Sequence, residues 1–496
     1  MTKAANLIVF LTDNHNRAFM GAAGHPMVKT PVLDGLAARG TRFSNAYSTS
    51  PLCCPSRAAL ATGRYPHQTG FWDNALAYDG SYPTWHHRVR DAGLDMAAIG
   101  KLHFRSSDDD NGFSDEIDVM HIVEAKGALI TLLRATQDGI PRRKSHKAIY
   151  EDSTVGEADY QIYDRRISEN AIKWLQENAD QEKPWVLLVS FPSPHPPFKV
   201  PQRFWDMYPL EDVPMPVQWK PEDRPDHPAV EYLAWMNHLQ DGFSEDYIRR
   251  VIAGYCGLIS HTDEQVGLVL EEMERLNLTD NTRIIYTSDH GEAAGHHGIL
   301  GKANHYDHGI GVPLIMAGPG VAQGKVVDEN VSHVDLFPTI VEAVGVAPSA
   351  EDKDLPGQSL WSVIDQNSSE STQGETQQAR AIFAEYHAMG SRNSGFALRK
   401  GQFKLIYHVG MPSQLFDLIA DPKEENDLML TGGFEQIAES LEQELRSMID
   451  PEAIDAKSKA DQAAHLEKFG GIEEVRKLGV FSRSPIPGVE VEVEKV

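Results

Sequence analysis

Residues 52–64, Leu-Cys-Cys-Pro-Ser-Arg-Ala-Ala-Leu-Ala-Thr-Gly-Arg, place a thiol, a hydroxyl and a guanidinium at the start of a predicted helix. Pro55 suits the first helical position, because its missing N–H would have no partner there. The alanines that follow favour a helix that continues to Gly63. Cys53 therefore lies beside unpaired backbone N–H groups and the positive end of the helix dipole, which bind anions. Arg57, one turn later, can hold a tetrahedral oxyanion with two hydrogen bonds.

Other polar residues follow runs of apolar, branched residues that predict buried strands at 7–11, 185–191 and 283–288, with a shorter strand at 96–100. In open α/β sheets the carboxyl ends of the strands gather ligand-binding residues. Each residue alone could be a helix cap or a structural loop residue. Their types are complementary, however, and we expect five of them to meet at one sheet edge beside Cys53: Asp13, Asn14, His195, Asp289 and His290. Lys101 and His103 follow the shorter strand and lie on the same side of an extended segment.

The segment around Cys53 resembles the signature of the type I, formylglycine-dependent sulfatases of the alkaline phosphatase superfamily: Cys-x-Pro-Ser-Arg followed by Leu-x-Thr-Gly-Arg. The resemblance covers nearly the whole chain and is weakest in residues 105–180 and after 450. The surroundings are most similar to choline-sulfatase-like enzymes, bacterial arylsulfatases and phosphonate monoester hydrolases. Many sulfatases carry a second aspartate where Asn14 stands and an asparagine where His290 stands.

The resemblance implies a role for each of these residues. Cys53 would be oxidised to formylglycine, the nucleophile, by a formylglycine-generating enzyme. One divalent cation, calcium or manganese, would be held by four residues: Asp13, Asn14, Asp289 and His290. Three cationic side chains would neutralise the transferring group: Arg57, Lys101 and Lys302. His195 would protonate the departing alcohol, and His103 would remove a proton during sulfate release.

These roles imply an enzyme that hydrolyses aryl or alkyl sulfate monoesters. A phosphonate monoester or phosphodiester hydrolase with the same site is the alternative, because related enzymes use the same nucleophile. A third interpretation is a non-catalytic anion-binding protein in which Cys53 is never oxidised. We also expect a homo-oligomer, a dimer or a tetramer.

The length of 496 residues and the strand pattern predict an α/β fold. A large mixed, mostly parallel sheet is expected between helices, with a smaller C-terminal α+β region. The catalytic domain is predicted at 1–364. Within it, residues 105–180 are interpreted as a helical insertion, a lid or an oligomer contact, with helices near 117–137 and 158–178.

Three further segments are predicted beyond the catalytic domain. Residues 365–379 are polar and low in apolar content, which indicates a linker or a mobile loop. Residues 380–450 predict a hairpin and a helix that form a small subdomain. Residues 451–496 are interpreted as a tail with a role in oligomer contacts, and the part after Ile472 as too rich in prolines and charges to form a core.

Composition limits the partners. The formal charge of −26, from 72 acidic and 46 basic residues, disfavours binding to nucleic acid or to an anionic membrane. Three cysteines form no disulfide framework and fit a reducing compartment. The short apolar run at 7–11 does not fit a secretory signal, and no stretch has the length of a membrane span. We therefore expect a cytoplasmic protein.

Overall fold

The computed structural model describes residues 5–134, 142, 144–364, 380–479, 481, 483–490 and 493. It confirms the predicted α/β class, with a large mixed sheet between helices and a small antiparallel sheet towards the C-terminus. The predicted linker at 365–379 lies outside the described residues. Within the described ranges, every helix is too short or too polar to span a bilayer.

The strands of the described chain form one large sheet, one small sheet and a short parallel pair. They are β1 Asn6–Thr12, β2 Gly40–Tyr47, β3 Asp95–Lys101, β4 Asp115–Met120, β5 Thr154–Val155, β6 Trp185–Ser190, β7 Lys199–Val200, β8 Thr282–Ser288, β9 Leu314–Ala317, β10 Lys325–Ser332, β11 Ala381–Tyr386, β12 Gly395–Lys400, β13 Phe403–His408 and β14 Gln414–Asp417. The large sheet has the order β10-β2-β9-β8-β1-β6-β3-β4, and β11 to β14 form the small sheet. β1 pairs in parallel with β6 and β8, whereas β9 is antiparallel to both of its neighbours.

Helices cover both faces of the large sheet. The α-helices are α1 Pro31–Ala38, α2 Cys53–Thr62, α3 Pro66–Thr69, α4 Trp85–Asp91, α5 Lys144–Glu151, α6 Asp159–Asn178, α7 Gln202–Trp205, α8 Pro228–Met236, α9 Glu245–Arg275, α10 Asp307–Ile310, α11 Leu336–Ala343, α12 Trp361–Ile364, α13 Glu435–Met448, α14 Pro451–Lys468 and α15 Ile472–Lys477. Successive side chains of a strand point to opposite faces. Leu7, Val9 and Leu11 of β1 therefore pack with α2, α4 and α11, while Ile8 and Phe10 pack with α1, α6 and α9.

The prediction for residues 105–180 is partly wrong. Of the helix expected at 117–137, residues 135–137 lie outside the described residues. The described part is the end of strand β4, which pairs in parallel with β3 at the sheet edge, followed by short 3-10 turns. β4 has the sequence Asp-Glu-Ile-Asp-Val-Met, in which two polar residues begin the strand and two apolar residues end it, so it lacks the regular alternation that would indicate a strand. The second predicted helix is present as α6, which packs on α9 against the sheet. The described part of the segment thus combines an edge strand with the helices α5 and α6.

The prediction that the chain after Ile472 cannot enter a core is also wrong. Val475 of α15 is fully buried, and Ile486 is buried in the same apolar cluster as Tyr163 and Ile167 of α6. Prolines exclude a segment from regular hydrogen-bonded structure but not from packing, and Ile486 packs from an irregular segment between two prolines. The described residues after Ile472 thus pack against the rest of the chain through Val475 and Ile486.

Candidate active site

Cys53 lies at the first position of α2, and its side chain is fully buried. Its sulfur is 2.9 Å from Lys302 Nζ, 3.3 Å from His290 Nε2 and 3.8 Å from Asp13 Oδ1. The helix begins two residues before the predicted start at Pro55, whose missing N–H still costs nothing because the first four N–H groups of a helix have no partner within it. The thiol is thus aimed at a group of charged side chains at the end of the sheet.

The strand order explains how these side chains meet. β8, β1, β6 and β3 are consecutive in the large sheet. Asp289 follows β8, Asp13 follows β1, His195 lies on the loop after β6, and Lys101 ends β3. Since these strands are parallel, their carboxyl ends lie along one edge, and the turn before α2 brings Cys53 to that edge.

Four of these residues could hold a metal ion. One donor atom from each of Asp13, Cys53, Asp289 and His290 lies within 4.8 Å of every other. His290 Nδ1 donates to the Gly291 carbonyl 3.0 Å away, so Nε2 presents its lone pair to the group. This arrangement of an imidazole fixed by a carbonyl is typical of metal ligands.

Asn14 adds an amide oxygen beside this group. Its backbone N–H donates to Asp289 Oδ1 at 3.1 Å, and its side-chain Nδ2 donates to Glu292 Oε2 at 2.7 Å. Its Oδ1 is buried and has no hydrogen-bond partner in the described part of the chain. A buried polar atom without a partner is costly, and a cation would satisfy it. The donor set therefore fits a hard divalent cation.

The electrostatics of the two carboxylates also favour a cation. Burial and the neighbouring Asp13 raise the pKa of Asp289 to about 6, against the opposing effect of Arg57, whose Nε donates to Asp289 Oδ2 at 2.8 Å. Burial alone would raise the pKa of Asp13, but Lys101, 2.6 Å from its Oδ2, and Lys302 hold that pKa well below its usual range. Two carboxyl groups are thus crowded together in a dry site, and a bound cation would relieve their repulsion.

Arg57 holds the candidate metal ligands in place. Besides its bond to Asp289, its Nη1 donates to the Lys101 carbonyl at 2.5 Å and to Ser190 Oγ at 3.0 Å. These contacts tie α2 to the ends of β3 and β6. Arg57 Nη2 is buried and has no hydrogen-bond partner among the described residues, so its two N–H groups remain available to an anion.

His103 and His195 lie on the cavity that opens above Cys53 and Lys302. His195 Nδ1 donates to the Pro196 carbonyl at 2.8 Å, which leaves Nε2 as its free nitrogen. Burial and then Lys302 keep the pKa of His195 well below its usual range, and burial and Lys101 do the same for His103. Both imidazoles are therefore neutral at pH 7 in the ligand-free protein.

Two contacts of the site were not predicted from the sequence. Glu292, in the segment that follows β8, accepts hydrogen bonds from Asn14 Nδ2, from Tyr150 Oη at 3.0 Å and from two backbone N–H groups. Ser484 of the C-terminal segment lies 2.9 Å from His103 Nε2 through its hydroxyl oxygen. The proximity of Glu292 to Asp289 was a usable signal for the first contact. The second joins residues 381 positions apart, and no local pattern indicates it.

We expect Glu292→Gln to weaken metal binding about 10–100-fold, the usual cost of losing a group that orients a ligand. An amide has one acceptor oxygen and cannot accept all four hydrogen bonds, so the Asn14 amide loses its fixed orientation. Titration of chelator-treated protein with manganese, followed by calorimetry, measures the change.

The matched control is Asp263→Asn, which alters a buried carboxyl group that accepts hydrogen bonds from the Val32 and Leu33 backbone at the start of α1. This variant should keep the parent affinity for the metal. Equal metal binding by the Glu292→Gln and parent proteins would show that metal binding does not depend on the hydrogen bond from Asn14 to Glu292.

Comparison with known proteins agrees with this geometry. The family profile described as sulfatase matches residues 5–346, and the profile of the C-terminal region of N-sulphoglucosamine sulphohydrolase matches residues 295–450. A choline-sulfatase of Rhizobium meliloti is 31% identical over 472 residues, covering 93% of this chain and 90% of that protein. Arylsulfatase K of mouse is 29% identical and covers 92% of this chain and 81% of its own length.

Solved structures show the same fold. The phosphonate monoester hydrolase of Agrobacterium radiobacter superposes with a TM-score of 0.70 at 22% identity, and the match covers 92% of this chain and 96% of that one. Since the sulfatase profile spans more than half of the chain and the choline-sulfatase matches over nearly the whole of it, the chain belongs to the sulfatase family of the alkaline phosphatase superfamily and is a sulfuric ester hydrolase.

Proposed function

We propose that this enzyme hydrolyses sulfate monoesters through a formylglycine made from Cys53, with a divalent cation held by Asp13, Asn14, Asp289 and His290. The observation that carries the proposal is the position of the Cys53 side chain. Its terminal atom lies within 4 Å of Asp13, His290 and Lys302 together. A group at this point can contact a cation and an anionic substrate at once.

The chemistry of Cys53 supports its modification. Burial and the Asp13 carboxylate raise the pKa of the thiol to about 11, so the unmodified side chain is protonated at pH 7 and is a poor nucleophile. Formylglycine, as its hydrate, supplies a hydroxyl that attacks sulfur and a second hydroxyl through which sulfate is released. A formylglycine-generating enzyme is the partner that this maturation requires.

The ligand set supports calcium or manganese. Three of the four donors are oxygen, which suits calcium, and the imidazole of His290 suits manganese. A divalent cation at this position supplies Lewis-acid stabilisation of sulfate oxygens and lowers the pKa of a bound hydroxyl. The protein contributes the orientation of the ligands, through Arg57 on Asp289 and through Glu292 on Asn14.

Two lysines are placed to bind the sulfate group. Lys101 and Lys302 both line the cavity. Burial would lower their pKa values, but the pKa of each is raised by nearby carboxylates, by Asp13 for Lys101 and by Asp13 and Asp289 for Lys302. Both therefore stay protonated in the dry site. Fixed positive charge beside a transferring anionic group is the main demand of such displacements.

His195, with Lys302 nearby, supplies the proton for the departing alcohol. His195 is neutral in the protein without substrate because its pKa is lowered. Burial lowers this pKa most, and the charge of Lys302 lowers it further. An anionic substrate offsets that charge and allows His195 Nε2 to gain the proton that it then donates to the alcohol oxygen. His103, neutral and bonded to Ser484, is suited to remove a proton during sulfate release.

We expect His195→Ala to slow alkyl sulfates and poorly activated aryl sulfates about 10²–10⁴-fold, and nitrophenyl sulfate far less. A general acid matters most when the leaving alcohol is basic. The measurement is kcat/KM across a series of sulfate esters of increasing leaving-group pKa. An equal loss on every substrate would show instead that His195 only binds the sulfate group.

Side-by-side kinetics test the proposed function against its alternative. Protein matured with a formylglycine-generating enzyme is assayed on nitrophenyl sulfate and on the nitrophenyl ester of a phosphonate. We expect the larger kcat/KM on the sulfate. A larger value on the phosphonate ester would make phosphonate monoester hydrolysis the main activity, and no turnover of either would favour an anion-binding protein.

A further inference from the structure

The C-terminal segment of the chain forms part of the wall of the catalytic cavity. Phe481, Arg483 and Ser484 line the cavity together with Cys53. The segment is held from two sides, because Ser484 Oγ lies 2.9 Å from His103 Nε2 and the Ser484 carbonyl accepts a hydrogen bond of 2.9 Å from Tyr160 Oη. Both family profiles end before it, at residues 346 and 450.

Arg483 lies beside the same tyrosine ring as Lys101 and the proposed general acid His195. Its guanidinium carbon is 5.3 Å from the centre of the Tyr160 ring. Lys101 Nζ is 5.7 Å from the same centre, and the His195 ring is 5.8 Å from it. Lys101, His195 and Arg483 therefore all lie next to the ring of Tyr160.

The charge of Arg483 is not neutralised inside the cavity. No aspartate or glutamate lines the cavity among the described residues. Arg483 Nη2 donates to Asp159 Oδ2 at 3.2 Å, but that carboxyl is 41% exposed. Its Nη1 is buried and has no hydrogen-bond partner in the described ranges. A buried guanidinium N–H without a partner is costly, and an anionic ligand group would satisfy it.

We propose that Arg483 selects sulfate esters whose departing alcohol carries a second anionic group, such as a carboxylate. The proposal rests on the proposed function and names the substrate class of the same site. The planar guanidinium suits a carboxylate, to which it can donate two parallel hydrogen bonds. A positively charged alcohol at the same place would be repelled by Lys101 and Arg483, because no aspartate or glutamate of the described residues lines the cavity.

The test compares two aryl sulfates that differ by one charge, the sulfate esters of meta-hydroxybenzoate and of meta-hydroxybenzamide. Their binding to the Cys53→Ala protein, with manganese present, is measured by calorimetry, so that affinity is read without turnover. We expect the carboxylate ester to bind about 10–100-fold more tightly, the range for a hydrogen bond to a charged group. In Cys53→Ala with Arg483→Gln, we expect the ratio of the two affinities to fall to about one.

Two further variants separate binding from anchoring. Asp159→Asn breaks the ion pair of Arg483 but leaves its charge, so the preference for the carboxylate ester should persist. Arg476→Gln removes a charge from α15, where Arg476 pairs with Glu473, and should also keep the preference. Equal binding of both esters by the Cys53→Ala protein overturns the proposal. So does a preference for the carboxylate ester that survives Arg483→Gln, or one that is lost in Asp159→Asn as well as in Arg483→Gln.

Turnover of the same two esters by the matured protein is recorded separately. If neither ester is hydrolysed, the proposed function fails, and the ratio of affinities still decides the role of Arg483. If both are hydrolysed and bind equally, the proposed function stands and the role of Arg483 is refuted.

Discussion

Replacing Cys53 by alanine should abolish sulfatase turnover, with a loss of at least about 10³-fold in kcat, while Cys54→Ala should keep most of the activity. Only the Cys53 side chain reaches Asp13, His290 and Lys302. Cys54 is buried away from them in a small apolar cluster with Ala77 and Ile122. Cys53 and Cys54 are both thiols, so it is the position of Cys53 beside the charged residues that distinguishes it as the source of the nucleophile.

The comparison uses the two single variants, expressed with the same maturation enzyme and assayed on nitrophenyl sulfate. Both cysteines are buried, so thermal unfolding is measured in parallel to show that each protein is folded. Equal losses in the two folded variants would contradict the assignment of Cys53. Retention of activity by Cys53→Ala would refute it outright.

Replacing Asp289 should remove bound metal and activity together. Asp289 lies at the centre of the ligand set, because its Oδ1 accepts from the Asn14 and His290 backbone N–H groups and its Oδ2 accepts from Arg57. The loss of a ligand should exceed the about 10–100-fold cost of losing a supporting group. Metal content by elemental analysis and kcat/KM on nitrophenyl sulfate should fall in parallel.

Two variants at Asp289 separate loss of the metal from loss of the fold. Asp289→Ala leaves the buried Arg57 without its partner, which destabilises a protein core. Asp289→Asn keeps an oxygen for Arg57 and should fold normally, yet it removes the negative charge that holds a cation. Asp354→Ala, at an exposed ion pair with Arg64, is the control and should keep its metal. Full metal occupancy in folded Asp289→Asn would place the metal elsewhere.

Much of the fold could be predicted because its central elements have strong local patterns. β1 and β6 contain continuous apolar runs, as expected for strands buried on both faces of a sheet, and β8 has an apolar centre at 284–286. The helix predicted near 158–178 is α6, which spans Asp159–Asn178. β4 was mistaken for a helix, because an edge strand is recognised by its pairing with β3, which is a contact between distant residues and not a pattern within the strand.

The candidate site was predicted for a different reason. Most of its residues stand at strand ends, within a few residues after them, or at the start of α2, and a motif of thirteen neighbouring residues contains Cys53 and Arg57. Tyr160, Arg483 and Ser484 were missed because they reach the cavity by tertiary packing alone. Tyr160 bonds to Ser484 across 324 positions of sequence. The residues that meet around Cys53 are therefore readable from the sequence, while those that reach the cavity from the distant C-terminal residues are not.

Mass spectrometry of the peptide that contains residues 53 and 54, taken from active protein, tests the central claim most directly. We predict that Cys53 has lost its sulfur and two hydrogen atoms and gained one oxygen, as conversion of the thiol to an aldehyde requires, and that Cys54 is unchanged. The modified fraction should rise in proportion to kcat when the supply of the maturation enzyme is varied. Fully active protein in which Cys53 is an unmodified cysteine would contradict the account.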